Sequence, residues 1–134
     1  MLEFLRKYEG DKKIVDVVDD KKKSPLHIAA KEGHTTIVEL FLRKQFNPNA
    51  RDRSLQTPLH CACLYGHGTI ADLLIKSGSD IQARDSRGRT ALHFAAMSTS
   101  SQVLALLIGE APELCNEPDN YGRVPMHYAV YTSS

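Results

Sequence analysis

Six histidines and three cysteines are the residues of this 134-residue chain whose chemistry could matter most. Imidazole can act as a general base near neutral pH, and imidazole with thiolate is a common zinc-binding set. Their positions argue against both. Four histidines recur in one local setting: His27, His60, His93 and His127 stand at intervals of 33, 33 and 34 residues. The other two, His34 and His67, each follow a glycine and are themselves 33 residues apart. A residue that returns periodically serves a periodic scaffold, whereas a reacting site converges different residue types on one point. Cys61 and Cys63, two positions apart on a helical segment, diverge. They stand where neighbouring copies carry Ile28 and Ala30 or Phe94 and Ala96, which reads as close packing of small side chains. Cys115 reads as an exposed thiol in an inserted loop, with nothing beside it to activate it. Glycine-rich phosphate loops, G-x-S-x-G, H-E-x-x-H and paired C-x-x-C patterns are missing from the sequence. The expectation is no catalytic residue, no metal ligand and no cofactor, and so not an enzyme.

The elements that carry the histidines repeat with them. An Asp stands eight residues before each of the four: Asp19, Asp52, Asp85 and Asp119. An alanine stands two residues after each: Ala29, Ala62, Ala95 and Ala129. Ser24, Thr57 and Thr90 suit helix N-caps, and Pro25 and Pro58 suit the first helical position, which needs no amide hydrogen. The histidine then falls at the third helical position, where it can close back on the cap as Glu or Gln does in a capping box. Gly33 and Gly66 end this short helix by taking the left-handed turn. A second helix carries the apolar bulk at helical spacing: Ile37, Val38, Leu40, Phe41 and Leu42, then Ile70, Leu73, Leu74 and Ile75, then Val103, Leu104, Leu106, Leu107 and Ile108. A polar stretch ending in "ARD" or "EPD" follows each pair and reads as a tight loop or hairpin.

At these residues the chain resembles the ankyrin repeat, whose signature is T-P-L-H-x-A at a period of 33. The resemblance covers residues 19 to 131. It implies an all-α repeat solenoid of helix–turn–helix units joined by β-hairpin loops. One domain over 1–134 is expected, with a partial repeat at 1–18, repeats at 19–51, 52–84 and 85–118, and a partial repeat at 119–134. Some positions depart from the pattern. Leu55 and Lys22 replace the hairpin glycine present as Gly88 and Gly122, Thr99 stands where Gly33 and Gly66 stand, and Val124 removes the last N-cap hydroxyl.

Composition bounds the function further. The formal net charge is only +1, and 42% of residues are apolar, so no global pull toward nucleic acid exists. No apolar run approaches the roughly 20 residues that span a bilayer. Three cysteines without paired spacing favour a reducing compartment, hence an intracellular, cytoplasmic location with the nucleus also open.

The resemblance implies a module that binds other proteins through a concave face of hairpin tips and first helices. On that face the positions that vary between copies are the candidates. The tips supply Lys21, Lys23, Arg51, Arg53, Gln56, Arg84, Arg87, Arg89, Tyr121 and Arg123. The ends of the first helices supply Leu64, Tyr65, Met97 and Tyr131. Arg and Tyr at adjacent tips suit a scaffold or adaptor whose partner protein has acidic or phosphorylated features. The alternative is a regulatory or targeting segment of a larger enzyme, channel or acyltransferase, in contact with another part of the same chain. No small-molecule substrate, nucleic acid or membrane insertion is expected.

Overall fold

A computed structural model describes residues 23–98 and 100–133, with backbone alone for the last four. The expected partial repeat over 1–18, Lys21, Lys22 and Thr99 lie outside the described residues. Seven helices form among the described residues. They are α1 (Pro25–Glu32), α2 (Thr35–Arg43), α3 (Pro58–Leu64), α4 (Gly68–Lys76), α5 (Ala91–Met97), α6 (Ser101–Glu110) and α7 (Pro125–Ser133). A 3-10 turn, Pro112–Asn116, follows α6.

The first helix of each unit starts as its sequence dictates. The Ser24 amide donates to His27 Nδ1 at 3.0 Å, and the Ser24 hydroxyl accepts from the His27 amide. Thr57 and His60 repeat the closure, as does the Thr90 amide with His93 Nδ1 at 3.1 Å. Val124 has no hydroxyl, yet its amide still donates to His127 Nδ1 at 3.1 Å. The imidazole is therefore the constant half of the cap and the hydroxyl the dispensable half.

Stacking follows from side-chain size. The first helices bury Leu26, Leu59 and Leu92 at their starts and Ala29, Ala30, Ala62, Cys63, Ala95 and Ala96 farther along. These small residues let α3 pack against both α1 and α5, and α5 against α7. The second helices contribute Val38, Phe41, Ile70, Leu74, Val103 and Leu107, all fully or almost fully buried. Each such large side chain contributes about 1.5–3 kcal/mol on leaving water. The polar joins between units are completed across the stack. His27 Nε2 donates to the Gln56 carbonyl at 2.7 Å, His60 to Ala83 at 3.0 Å and His93 to Arg123 at 2.8 Å. His67 reaches back to the Lys31 carbonyl at 2.9 Å, and its ring lies so close over Gly33 that a Cβ there would come within 2.7 Å.

The stretches read as tight loops or hairpins are tight turns, each closed by its own Asp, with no strand among the described residues. The Asp52 amide donates to the Gln56 carbonyl and the Leu55 amide to the Asp52 carbonyl, too short a ladder for a strand. Cys115 is not an exposed thiol: it is half-buried in the 3-10 turn, packed against the core beside fully buried Leu114. The turn folds the inserted residue inward rather than looping it out.

The missing glycine at Leu55 leaves a trace. Leu55 takes φ of 61°, in the left-handed region that Gly88 and Gly122 occupy at 76° in later copies. A non-glycine residue there costs about 1–2 kcal/mol. Gln45 does the same at 65°, where the next copy has Gly78.

Candidate protein-binding face

Each tip is built around a buried carboxylate. Asp52 Oδ1 accepts from the amides of Ser54 and Gln56, both at 2.9 Å. Asp85 takes the amides of Arg87 and Arg89, and Asp119 those of Tyr121 and Arg123, at the same distance. Burial raises the Asp52 and Asp119 carboxyls, but hydrogen bonds outweigh it. Lys23 and the Gln56 amide hold Asp52 below the usual carboxylate range, and the Tyr128 hydroxyl with the two tip amides does so for Asp119. Successive tips are then joined edge to edge: the Ser86 amide donates to the Ser54 carbonyl at 2.8 Å, and the Asn120 amide to the Arg87 carbonyl at 2.9 Å.

This construction sorts the expected contact residues. Arg51 is a strut, its Nη1 donating to the Arg84 carbonyl of the following unit at 2.8 Å. Arg84 repeats the role, reaching the carbonyls of Gly88 and Pro118 at 2.9 Å and pairing with Glu117. Arg89 lies over the Phe94 ring at 4.7 Å and pairs with Asp85 at 2.9 Å, its side chain only 16% exposed. Lys23 pairs with Asp52 at 2.7 Å. Gln56 is half-buried and engaged through its backbone with Asp52 and His27. Leu64 and Met97 are half-buried against the core. These seven positions are spent largely on holding the stack together. Lys21 and the Tyr131 side chain lie outside what is described.

The remainder is exposed. Arg53 and Arg87 project from adjacent tips, and among the described residues neither has an acidic partner within ion-pair distance. Tyr121 is 60% exposed with the Arg123 guanidinium 5.2 Å over its ring. Tyr65, at the end of α3, is 50% exposed with Lys31 Nζ 5.7 Å from its ring centre. Two basic tips, two aromatic faces and two stacked cations make a surface suited to anionic side chains with apolar neighbours. Lys31 is not among the expected contact residues, and its place over Tyr65 comes from the stacking of the first helices. Exposed Leu55 and Met126 add apolar area.

Four of the six histidines hold helix caps. In His27, His60, His93 and His127 a backbone amide donates to Nδ1, and in the first three Nε2 donates to a carbonyl of the next unit. Burial, only partly offset by the Ala83 carbonyl, drives His60 down to about 4, and burial likewise lowers His93. Burial pushes the Cys61 thiol up to about 11 and Cys63 higher still, so both are unreactive as thiolates. Among the described residues no three His, Cys, Asp or Glu side chains gather as a metal site, and no helix is long and apolar enough to cross a membrane.

A family model of ankyrin repeats in three copies matches residues 1–85 and 79–134. The chain belongs to the ankyrin-repeat family. A search of curated proteins gave no match. Ankyrin repeats generally serve as protein–protein interaction modules and are typically non-catalytic, in keeping with imidazoles and carboxylates that face backbone groups here. In this ankyrin array Arg53, Arg87, Tyr65 and Tyr121 are exposed among the described residues.

Proposed function

We propose that this ankyrin array is a scaffold or adaptor that binds an acidic or phosphorylated segment of a partner protein along its tips. One observation carries the reading: Arg53 and Arg87 are exposed on adjacent tips without an acidic partner among the described residues, while the other arginines beside them are tied down. A guanidinium pairs with a carboxylate or phosphate through two parallel hydrogen bonds. Tyr65 and Tyr121 supply the apolar anchors such interfaces use. The proposal includes an intracellular, cytoplasmic setting, which three unpaired thiols support.

The test compares immobilised wild type with a Tyr65→Ala/Arg87→Glu variant of matched circular dichroism, in lysate and over a salt series. An acidic partner retained by wild type, lost by the variant and released by salt supports the reading. A partner retained equally by both puts the interface on the second helices or the ends and overturns it.

A further inference from the structure

Ser54 sits at the tip between the two unpaired arginines. It is exposed, its amide is held by Asp52 and its carbonyl by Ser86, and its hydroxyl has no hydrogen-bond partner among the described residues. Arg51 and Arg53 precede it by three residues and by one, and exposed Leu55 follows it. Arg87 holds the matching place in the next tip, which the Ser86 amide joins directly to the Ser54 carbonyl.

The turn that carries Ser54 also differs from its neighbours in conformation. The two later tips place Gly88 and Gly122 in the left-handed region, and this one forces Leu55 there. Its closed form is therefore the most strained of the three described tips, which favours its opening into an extended segment. An enzyme that modifies a side chain in an extended peptide needs that opening. Opening also releases Arg51 from the Arg84 carbonyl and the Leu55 carbonyl, leaving two guanidinium groups upstream of a free hydroxyl.

We infer that Ser54 is a phosphorylation site for an arginine-directed serine/threonine kinase, and that the phosphate closes the tip line to acidic partners. The regulatory half rests on the binding reading proposed above; the modification itself does not. The Ser54 Oγ attacks the γ-phosphorus of ATP, the bond from that phosphorus to the bridging oxygen breaks, and ADP leaves while the hydroxyl proton passes to the kinase's base. The product carries nearly two negative charges and three acceptor oxygens. Arg53 on the same tip and Arg87 on the next have no acidic partner among the described residues, so the phosphate neutralises within the chain the groups an acidic partner would use.

The experiment uses the whole chain, an arginine-directed kinase with ATP, and a fluorescent oligoglutamate peptide as the acidic probe. Mass mapping is expected to place one phosphate on Ser54 in wild type and none there in Ser54→Ala. Peptide affinity should fall on the order of tenfold with the phosphate. Leu55→Gly should slow modification several-fold in the folded chain but not in a synthetic peptide of residues 49–59, because only the folded tip loses strain. No phosphate on Ser54 in the chain, with the synthetic peptide fully modified, overturns the site. Phosphate on Ser54 with unchanged peptide affinity overturns the regulatory half. If unmodified wild type does not bind oligoglutamate, the binding reading and its regulation fall, while mapping and the Leu55→Gly comparison still decide the site.

Discussion

The imidazole of His60 bridges two repeats: Nδ1 accepts the Thr57 amide at 3.1 Å, and Nε2 donates to the Ala83 carbonyl at 3.0 Å. The Nδ1 contact needs the neutral ring, and burial holds its pKa at about 4 against an ordinary 6.5. An unfolded chain binds a proton here below pH 6.5 that the folded chain refuses until about pH 4. Stability therefore falls as pH drops through that window, by about 1.4 kcal/mol per pH unit for a fully mismatched histidine. His93, also lowered by burial, adds to the loss. Asp52 and Asp119, held below 3.8, stabilise above that value and lose their contribution as pH falls through their folded pKa. Urea midpoints should be flat above about pH 7 and decline steadily below 6.5; a flat profile down to about pH 5 would contradict the bridging role.

Replacing His60 by Ala leaves the Thr57 amide and the Ala83 carbonyl without their partner and opens a cavity. The cost should be about 3 kcal/mol in chemical denaturation. His60→Gln should lose less, since the amide can donate to one side and accept from the other. Equal losses in the two variants would mean that volume, not hydrogen bonding, sets the effect.

The left-handed positions predict opposite outcomes for opposite exchanges. Leu55→Gly removes the strain of φ 61° and should raise stability by about 1 kcal/mol, net of glycine's extra unfolded freedom. Gly88→Ala should lower it by about 2 kcal/mol or more, because φ is 76° and a Cβ would fall 2.9 Å from the Asn120 backbone nitrogen. Thermal midpoints of the two variants should move apart; a shared direction would contradict the turn geometry.

Val124→Thr should restore the hydroxyl that earlier caps possess, beside an imidazole closure that is already present. A gain of about 0.5–1 kcal/mol is expected, read as a higher denaturation midpoint. No gain would mean that the imidazole alone saturates the cap.

The arginines should divide cleanly. Arg84→Ala breaks bonds to two carbonyls and an ion pair with Glu117, and should lower the unfolding midpoint. Arg53→Glu with Arg87→Glu should leave that midpoint within about 0.5 kcal/mol while abolishing salt-sensitive binding of an acidic peptide. A destabilised Arg53/Arg87 variant would move these residues from the contact set to the scaffold.

The sequence made the helical frame readable because its period is carried by residues with local jobs. Ser24 or Thr57 three positions before a histidine is a cap within one turn, and Leu26, Leu59 and Leu92 mark the core by register alone. What it hid were the bonds that span a whole unit. Arg51 and Arg53 are two residues apart and look alike as basic tip residues, yet one reaches a carbonyl 33 residues onward and the other reaches solvent. Only the stacking geometry separates them. Tyr65 and Met97 both stand at first-helix ends but one register apart: Met97 aligns with Leu64, and both are half-covered by the core, whereas Tyr65 is exposed.

The edge-to-edge bonds from Ser86 to Ser54 and from Asn120 to Arg87 have a metric consequence. They set the interval between successive tips by one backbone hydrogen bond per step, a length that side-chain motion cannot alter. Anything lying along the tips meets charge and aromatic surface on a fixed pitch, like marks on a ruler. For the acidic segment proposed above, two sequences of equal charge but different spacing are then unequal fits.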